Sequence, residues 1–464
     1  MAKITIDARQ VLLDIRAGMT DTALMEKYKL SARGLQSLFK KLLDGGIIKQ
    51  DDLDERMPLR AKTVEVSIFR CPACDMPQFT EFEECPQCGI IVSKFRQKQV
   101  QAPGERDDLP EAAEKRALAL DAEHTLAAFR GNLFRTGVYN TRDLQESSNL
   151  KWKFKTGGWV SSSPAWTEAG LFFGSLDGNF YLIESRTGTE IWRFATGSSI
   201  YSSCAVTQNA AWFGSLDGSL YGLDVRTGEP RFRYQTAGPI YSSPAVLHGR
   251  AYVGSLDGHL HAVEIKSRSS KWKFKTGGPI YSSPCLNEGT IYFGGLDGAL
   301  YALEIHNGRE LWRFKTGGPV TTAPAVREDV VCFGSGDRNV YAVDARTGQE
   351  RWRFGEQDKV TSSPAIHAGA VFFGSADSFV YAVHLRTGRE IWKFDTGGEV
   401  YSSPAIAGNA IYFGSSDRNL YALDLASGRE LWRFRTGGPV YSAPVVQDGV
   451  IYFGSDDGHL YALA

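Results

Sequence analysis

The sequence lacks the apolar runs and the leader that would place a protein in or across a membrane. Nowhere does it contain a run of about 18 apolar residues, the length that a membrane-spanning helix needs. The first residues, MAKITIDARQVLLDIRAGM, carry no apolar core of signal-peptide length after a basic start. We therefore expect a cytoplasmic protein that has no membrane partner.

An excess of charge of one sign is also missing. The formal net charge is -1, so the net charge of the whole protein does not favour binding to nucleic acid. Cysteine is scarce at seven residues, and four of the seven cluster between residues 71 and 88. The others, Cys204, Cys285 and Cys332, stand singly in predicted strands. This distribution indicates a metal site and buried thiols, and it excludes a secreted disulfide framework.

Glycine and aromatic residues are abundant, and they recur in a repeat with a period of 40 residues. One position of the repeat holds a tryptophan in all copies but one, and another holds an aspartate in every copy. The tryptophan position is occupied by Trp152, Trp192, Phe232, Trp272, Trp312, Trp352, Trp392 and Trp432. The aspartates are Asp177, Asp217, Asp257, Asp297, Asp337, Asp377, Asp417 and Asp457. Because these aspartates recur so regularly, we expect them to support turns.

Each copy contains four short apolar and aromatic segments bounded by Gly, Pro, Asp or Ser, as in YSSPAIA, AIYFGSS, NLYALDL and ELWRFRT. Four strands at a period near 40 predict the blade of a β-propeller. The last copy lacks its outer strand, and residues 150–156 supply a spare one before the first copy. Pairing the two would remove an exposed sheet edge. We therefore predict a mainly β fold, an eight-bladed propeller over residues 127–464, rather than an open solenoid.

The string A-x-D-x-x-[TS]-G-x-x-x-W recurs along the repeat, for example as AVDARTGQERW at residues 342–352. It resembles the tryptophan-docking motif of the PQQ (pyrroloquinoline quinone)-type propeller family. The stretch FRGNLFRTG, residues 129–137, is similar to the segment that leads into that family's propeller. The resemblance covers residues 127–464 and implies that each tryptophan wedges between adjacent blades. Phe232, Arg268 and His384 depart from the motif.

The family that the repeat resembles contains quinoprotein dehydrogenases and non-catalytic scaffolds such as the bacterial outer-membrane-assembly propeller. The resemblance implies that a dehydrogenase would carry adjacent cysteines over the quinone, and an acid and an amide that hold Ca²⁺. This chain has no adjacent cysteines, and its acids recur with the repeat, whereas one active site needs residues that one copy alone carries. We therefore expect a non-enzymatic protein that does not use PQQ, with a PQQ-dependent dehydrogenase as an alternative.

Turns that break the repeat are candidates for contact with a partner. Most copies keep S-x-D-G between the second and third strands, but three neighbouring copies replace the glycine, and the loop entering the sixth blade reads GEQDK. The candidate partner-binding residues are Arg338, Asn339, Glu356, Asp358, Lys359, Ser378, Phe379, Arg418 and Asn419. Neutral drift among tolerant turns would produce the same pattern, so the sequence leaves both interpretations open.

A second set of residues recurs where the inner strands begin, and we predict that it faces the central channel. Its members are Tyr201, Tyr241, Tyr281, Tyr401 and Tyr441, with Ser161, Thr321 and Thr361 in the remaining copies. Strand alternation places all of them on one side of the strand without saying which side. A packing role is therefore the alternative.

Two C-P-x-C pairs predict a zinc ribbon over residues 65–95. The pairs are Cys71 with Cys74, and Cys85 with Cys88. Four thiolates at paired i, i+3 spacing can surround a tetrahedral ion, and with no histidine nearby the site is predicted to be structural and closed. Iron of the rubredoxin type is the alternative metal.

Residues 1–60 are predicted to form a small helical module. Within it, ALMEKYKLSARGLQSLFKKLLDGG resembles a helix-turn-helix, with Ser31 as an N-cap and Gly45 and Gly46 ending the last helix. The residues of that last helix that could contact DNA are Arg33, Gln36, Ser37, Lys40 and Lys41. A three-helix interaction module fits the same pattern.

Our interpretation is a scaffold whose propeller face holds a protein partner or a small ligand. The N-terminal modules, joined to the propeller by a charged linker at residues 96–126, would connect it to a second partner. Nucleic acid could bind only through residues 1–60. If it does, the alternative is a one-component DNA-binding regulator with the propeller as its sensor, and steep salt dependence would distinguish the two.

Overall fold

The computed structural model describes residues 125–139, 141, 143, 149–355 and 358–464, together with four short strands nearer the N-terminus. The chain divides into two compact units, residues 1–108 and 109–464. In the first unit, Lys3–Ile6 pairs antiparallel with Val64–Ser67, and Phe69–Arg70 pairs with Pro77–Gln78. Beyond these strands, the helical module predicted for residues 1–60 and the predicted zinc ribbon lie outside the described residues.

The second unit contains eight sheets, one for each copy of the repeat, each with four antiparallel strands, and two of the sheets carry a fifth strand. This confirms the predicted eight-bladed β-propeller. Within each blade the strands lie side by side in chain order from the channel outward, except that the outermost strand of blade 8 comes from the start of the repeat region. Among the described residues, no helix has the length and hydropathy to cross a membrane.

The four strand positions have similar bounds in every blade. The innermost strands, from blade 1 to blade 8, are Ala165–Thr167, Ala205–Thr207, Ala245–Leu247, Cys285–Asn287, Ala325–Arg327, Ala365–His367, Ala405–Ala407 and Val445–Gln447. The second strands are Gly170–Gly174, Ala210–Gly214, Arg250–Gly254, Thr290–Gly294, Val330–Gly334, Ala370–Gly374, Ala410–Gly414 and Val450–Ser455. The third strands are Asn179–Ile183, Ser219–Asp224, His259–Glu264, Ala299–Glu304, Asn339–Asp344, Phe379–His384, Asn419–Asp424 and His459–Leu463. The outermost strands are Glu190–Ala195, Pro230–Gln235, Ser269–Lys275, Glu310–Lys315, Glu350–Gly355, Glu390–Asp395, Glu430–Arg435 and, in blade 8, Leu150–Lys155.

The ring closes through blade 8, as predicted. Leu150–Lys155 pairs antiparallel with His459–Leu463, and Trp152 stands opposite Ala462. Asn149 and Ala464 exchange backbone hydrogen bonds of 2.9 and 3.0 Å beyond the ends of the ladder. The first and last copies of the repeat therefore share one sheet, and the open-solenoid alternative is wrong.

The core of the propeller lies between blades. Each of eight apolar clusters takes its residues from two adjacent blades, and one of them joins blade 8 to blade 1. Because every blade shares both of its faces, the strands are buried on both sides, as in Ala210–Gly214 of blade 2, where all five residues are buried.

The repeated tryptophan joins each blade to the next. In blade 4, Trp312 Nε1 donates to the carbonyl oxygen of Ala345 in blade 5 at 3.1 Å, and its ring covers Gly348. A Cβ on Gly348 would approach Trp312 Cε3 to 2.6 Å, so only glycine fits beneath the ring. Trp152, Trp192, Trp272, Trp352 and Trp392 donate in the same way to the following blade. The wedge that the resemblance implied is thus present.

Two departures from the motif meet at one interface, between blades 2 and 3. Phe232 occupies the tryptophan position of blade 2. Arg268 of blade 3 occupies the position of the glycine that this tryptophan would cover, and it keeps the positive φ of that position, 53°. The missing volume is supplied by Trp212 of the second strand, whose ring lies 5.2 Å from that of Phe232. Gly222 makes the room, because a Cβ there would approach Trp212 to 2.6 Å.

Residues 125–139, which we call the cap segment, cross the face of the propeller where the innermost strands end. Thr125–Ala127 adds a strand to blade 2, and Val138–Tyr139 adds a parallel strand to blade 7. Between them, backbone carbonyls of the cap segment accept hydrogen bonds of 2.8–3.0 Å from four successive blades. The donors and acceptors are Leu286 to Leu133, Val326 to Phe134, Ile366 to Thr136 and Ile406 to Gly137.

Arg135 of the cap segment is fully buried and fastens it to blades 3 and 4. Its guanidinium donates to the carbonyl oxygens of Pro284 at 3.1 Å and of Phe129 at 2.8 Å. It also donates to those of Ser243 and Pro244, each at 3.3 Å. Carbonyl dipoles therefore satisfy a charge that would otherwise be costly to bury.

Three N-terminal deletions separate the strand that closes the ring from the cap segment. Deleting residues 1–124 leaves both, deleting residues 1–148 removes the cap segment alone, and deleting residues 1–157 removes both. We expect the additional loss from the closing strand to exceed about 3–5 kcal/mol, the cost of truncating one buried aromatic, because Trp152 and a whole hydrogen-bonded ladder go with it. Thermal unfolding and light scattering measure stability and aggregation. Equal midpoints for the last two deletions would contradict the closure.

Candidate functional site

Every blade presents two connections on the face opposite the cap segment: the loop from the preceding blade and the turn between the second and third strands. We call this the loop face. In blades 1 to 5 and 8 the repeated aspartate holds the two connections together. In blade 2, Asp217 accepts hydrogen bonds from the N–H of Gly197 in the loop, from the N–H of Ser219 in the turn and from the hydroxyl of Tyr221, at 3.2, 2.8 and 2.7 Å. The expected role of these aspartates in supporting turns is confirmed.

The central channel opens on the loop face between the predicted ring residues. Tyr201, Tyr241, Ser161 and Thr321 are among the side chains that line a cavity of about 180 Å³ there. Tyr201 and Tyr401 are 36% and 39% exposed, so the tyrosines are not buried in the core. The structure thereby settles which side of the strand they occupy, and the packing alternative is wrong for these two.

The tyrosines form two groups rather than a continuous ring. The rings of Tyr201, Tyr241 and Tyr281 follow one another at centroid distances of 5.1 and 4.6 Å. Tyr401 and Tyr441 form the second group, with centroids 5.2 Å apart. Blades 5 and 6 carry threonines in the intervening positions.

Two residues deeper in the channel lies a ring of serine hydroxyls, which we call the serine ring. Its members are Ser163, Ser203, Ser243, Ser283, Ser363 and Ser403, and Ala323 and Ala443 complete the eight positions. Each serine Oγ accepts a backbone N–H from the preceding blade at 2.9–3.0 Å. Phe129 of the cap segment lines the channel with them, at its closed end.

The loop face has an apolar half. In blades 1 to 4 the turn residue before the repeated aspartate is leucine, and the tyrosines of blades 2 to 4 lie beside it. Trp159, in the loop entering blade 1, is 54% exposed, and its carbonyl accepts the N–H of Leu176 at 2.9 Å. We call this set the apolar arc: Trp159, Leu176, Tyr201, Leu216, Tyr241, Leu256, Tyr281 and Leu296. All eight side chains are at least partly exposed.

In the other half of the loop face, blades 5 to 8, the turn residue before the repeated aspartate is small or polar, although Tyr401 and Tyr441 also line the channel there. We call this the polar half. Arg338 and Arg418 are exposed, and together with Ser378 they occupy the turn position that glycine fills in the other five blades. They adopt the same backbone conformation as those glycines, with φ between 74° and 77°. That conformation costs a residue with a side chain roughly 1–2 kcal/mol.

The remaining partner-binding candidates differ in their accessibility. Lys359 is exposed and Asp358 half-buried, while Phe379 is half-buried with Lys393 Nζ 5.3 Å from its ring centroid. Asn339 is half-buried and its amide donates to Asp337. Asn419 is buried and its amide donates to Asp417 at 2.6 Å, so its side chain supports the turn and is not available to a partner. Glu356 lies outside the described residues.

Carboxylates stand near the mouth of the channel in the polar half. Asp456 accepts a hydrogen bond from Ser161 Oγ at 2.8 Å. Burial raises the pKa of Asp456, the charge of Asp457 raises it further, and the Ser161 hydrogen bond opposes both. At the start of blade 7, burial raises the pKa of Tyr401 to about 12, and the nearby carboxylate of Glu399 contributes to this shift.

The predicted zinc ligands Cys71, Cys74, Cys85 and Cys88 lie outside the described residues. So do the candidate DNA-binding residues Arg33, Gln36, Ser37, Lys40 and Lys41. The three other cysteines are unpaired and buried, as predicted, and burial raises the pKa of each thiol. No cluster of metal-binding side chains occurs within the described part of the propeller.

An eight-bladed propeller with a tryptophan wedge between blades and an aspartate bracket on one face defines a propeller of the PQQ-like repeat class. The family described as outer membrane protein assembly factor BamB matches residues 176–283, 275–393 and 376–464, and the chain belongs to that family. No curated protein matches the chain.

Several solved structures share the fold. BamB from Moraxella catarrhalis superposes with a TM-score of 0.61 at 20% identity, over 68% of this chain and 99% of that chain. The computationally designed Ika8 protein gives 0.61 at 19% identity, over 66% and 96%. A quinohemoprotein alcohol dehydrogenase from Pseudomonas putida HK5 gives 0.65 at 13% identity, over 75% and 81%. These similarities establish the propeller fold alone.

The aspartate bracket predicts loss of stability in acid. Burial alone would raise the pKa of Asp217, but the hydrogen bonds from Tyr221, Ser219 and Gly197 outweigh it and leave the pKa below its usual value. The folded pKa is therefore lower than the unfolded one, so the stabilisation is complete above about pH 4 and is lost as the pH falls through the folded pKa. The same direction holds for Asp177, Asp257, Asp337 and Asp457.

We expect Asp217→Asn to cost about 1–3 kcal/mol near pH 7, because hydrogen bonds to a charged acceptor are lost. The difference from the unmodified protein should shrink as the pH falls below the folded pKa, where both side chains are neutral. Thermal midpoints measured from pH 7 to pH 2 test this, with the exposed Asp448→Asn as the control. A difference that stays constant over that range would contradict the bracket's dependence on charge.

Proposed function

We propose that the protein is a non-enzymatic scaffold that holds a protein partner on the loop face of its propeller. The N-terminal unit links this complex to a second partner. The observation that carries the proposal is the division of the loop face into an apolar arc and a polar half, because a ring built from a repeat would otherwise present the same surface eight times.

The apolar arc has the composition of the centre of a protein interface. Interface centres are enriched in tyrosine, tryptophan and arginine, and the residues that dominate binding lie in aromatic clusters. Trp159 and the three neighbouring tyrosines provide such a cluster, with the leucines of four turns beside it. The channel mouth adds hydroxyl groups that can orient the partner.

The polar half supplies the complementary rim. These three turns contain Arg338, Ser378 and Arg418 at positions where glycine would remove the strain of a positive φ. A strained conformation that three neighbouring blades share favours a functional role for these side chains over neutral drift.

The residues that line the channel do not fit a quinone cofactor of the dehydrogenase kind. The lining consists of hydroxyl-bearing residues, two alanines and Phe129, with neither an acid nor an amide among the described residues. The sequence has no adjacent cysteines. These features support a non-enzymatic function without PQQ.

We also propose that the protein acts in the cytoplasm. Its three propeller cysteines are unpaired, and the four predicted metal thiolates need a reducing compartment to stay free of disulfides. Zinc bound by those thiolates would stabilise residues 65–95.

Site-specific photocrosslinking tests the scaffold. A photoreactive amino acid placed at Trp159 or Tyr241 should give one discrete crosslinked partner in cells, whereas placement at the exposed Ile191 or Leu311 on outermost strands should not. Trp159→Ala combined with Tyr241→Ala should abolish the crosslink from a third position on the loop face while the thermal midpoint stays unchanged. Equal products from all four positions, or none, would contradict an interface on the loop face.

A triple variant tests the polar half without risking the fold. Replacing Arg338, Ser378 and Arg418 with glycine restores the residue of the other five blades, so stability should be unchanged or higher. Partner binding should nevertheless weaken. If it does not, those turns are products of drift.

Elemental analysis tests whether the four cysteines of the N-terminal unit bind zinc. Purified protein should contain one zinc per chain by elemental analysis, since four thiolates complete one tetrahedral site. Cys71→Ser with Cys74→Ser should release the metal and leave the thermal unfolding of the propeller unchanged, because the propeller belongs to a separate compact unit. Iron in place of zinc would support the rubredoxin-like alternative.

A further inference from the structure

The hydroxyl groups of the serine ring accept hydrogen bonds but do not donate any to the described residues. Each Oγ accepts a backbone N–H, yet none of the six hydroxyls donates to an acceptor among the described residues. All six side chains are more than nine-tenths buried and line the channel cavity. Six O–H donors that face one channel favour an acceptor-rich occupant on its axis, because a buried donor without a partner is costly.

Two buried arginines of the cap segment lie near Phe129, a residue that lines the channel. Phe129, which lines the cavity, is followed by Arg130, and the guanidinium of Arg135 lies 5.3 Å from the centroid of the Phe129 ring. Both arginines are at least 98% buried. Arg135 also donates to the carbonyl oxygen of Ser243, a member of the serine ring.

Arg130 has no counter-charge. None of its three guanidinium nitrogens has a hydrogen-bond partner among the described residues. The groups that influence it electrostatically are Tyr139, Arg135 and Cys285, and none of these is a carboxylate. Burial lowers the pKa of Arg130 to about 9, and the neighbouring Arg135 contributes, so it remains cationic at neutral pH. A buried cation of this kind favours an anion nearby.

We propose that the channel binds a small oxyanion on its axis, held by the serine ring and attracted by Arg130 and Arg135. The cavity of about 180 Å³ accommodates such an ion with some of its water, since one water takes up roughly 30 Å³ in the liquid. A donor-only ring selects an acceptor-rich ligand. The chemistry is shared by inorganic phosphate or sulfate and by a small carboxylate.

The carboxylate of Asp456 at the mouth of the channel should lower the affinity of the channel for an anion. Asp456 stands beside Ser161 at the open end of the channel, and its charge opposes the entry of an anion. Asp456→Asn should therefore tighten binding. Tyr201 and Tyr241 of the apolar arc line the same cavity, but the ion site is probed with ions alone, so its test does not depend on the partner.

The chain itself provides matched variants. Ala323 and Ala443 already occupy two of the eight ring positions, so Ser203→Ala with Ser363→Ala should fold normally. Conversely, Ala323→Ser with Ala443→Ser would complete the ring and add two donors. The thermal midpoint of each variant in ion-free buffer confirms its folding.

Isothermal titration calorimetry on the full-length protein in a buffer free of phosphate and sulfate tests the proposal. Phosphate or sulfate should bind at one ion per chain. Affinity should fall by about tenfold or more in the double alanine variant, because two charge-assisted hydrogen bonds are lost, and it should rise in the double serine variant. Binding of acetate or malonate with the same dependence, but not of phosphate, would support a carboxylate ligand. No saturable binding by any of these ions, or equal affinities in all variants, would overturn the proposal.

Discussion

The propeller depends on one pairing, that of Leu150–Lys155 with His459–Leu463. Without it, blades 8 and 1 would each leave an open side, and the apolar cluster that Trp152, Tyr452 and Val160 share would face water. The constraint also fixes the channel, because the serine ring and the channel mouth have a defined diameter only in a closed ring. The aspartate bracket then sets the loop face, since in blades 1 to 5 and 8 it ties the loop from the preceding blade to the turn of its own blade.

Closure imposes equal spacing on blades whose sequences differ, and the interface between blades 2 and 3 shows how the chain meets that requirement. The tryptophan wedge is absent there, and Trp212 fills the space from the second strand while Gly222 gives way. An aromatic ring from the second strand thus replaces the missing volume of the outermost strand, and the interface remains packed. Substitutions at one position of the wedge are therefore coupled to positions on two other strands.

The period, the strand boundaries, the closure and the aspartate brackets could all be predicted from the sequence, because each rests on local chemistry repeated eight times. What could not be predicted involves contacts made once. Arg130 and Arg135 appear in the sequence as two charges in a short Gly- and Phe-containing stretch, and only the crossing of that stretch over the closed end of the channel buries them. The leucines of blades 1 to 4 were visible in the turns, but their significance depends on lying beside Trp159 and the tyrosines. Conversely, Asn419 looked available and is buried, because its amide completes the turn.

The closing strand also has a consequence for synthesis on the ribosome. Thr156 and Gly458, which bond across the seam, are 302 residues apart in the chain. At about 5–20 residues per second, the first strand waits roughly 15–60 s after its own translation before its partner exists. During that interval an unpaired edge bearing Trp152 and Phe154 is exposed on a nascent chain, where neighbouring chains on the same messenger could pair with it. We therefore expect the yield of folded protein to depend on how well that early strand is shielded until the final residues emerge.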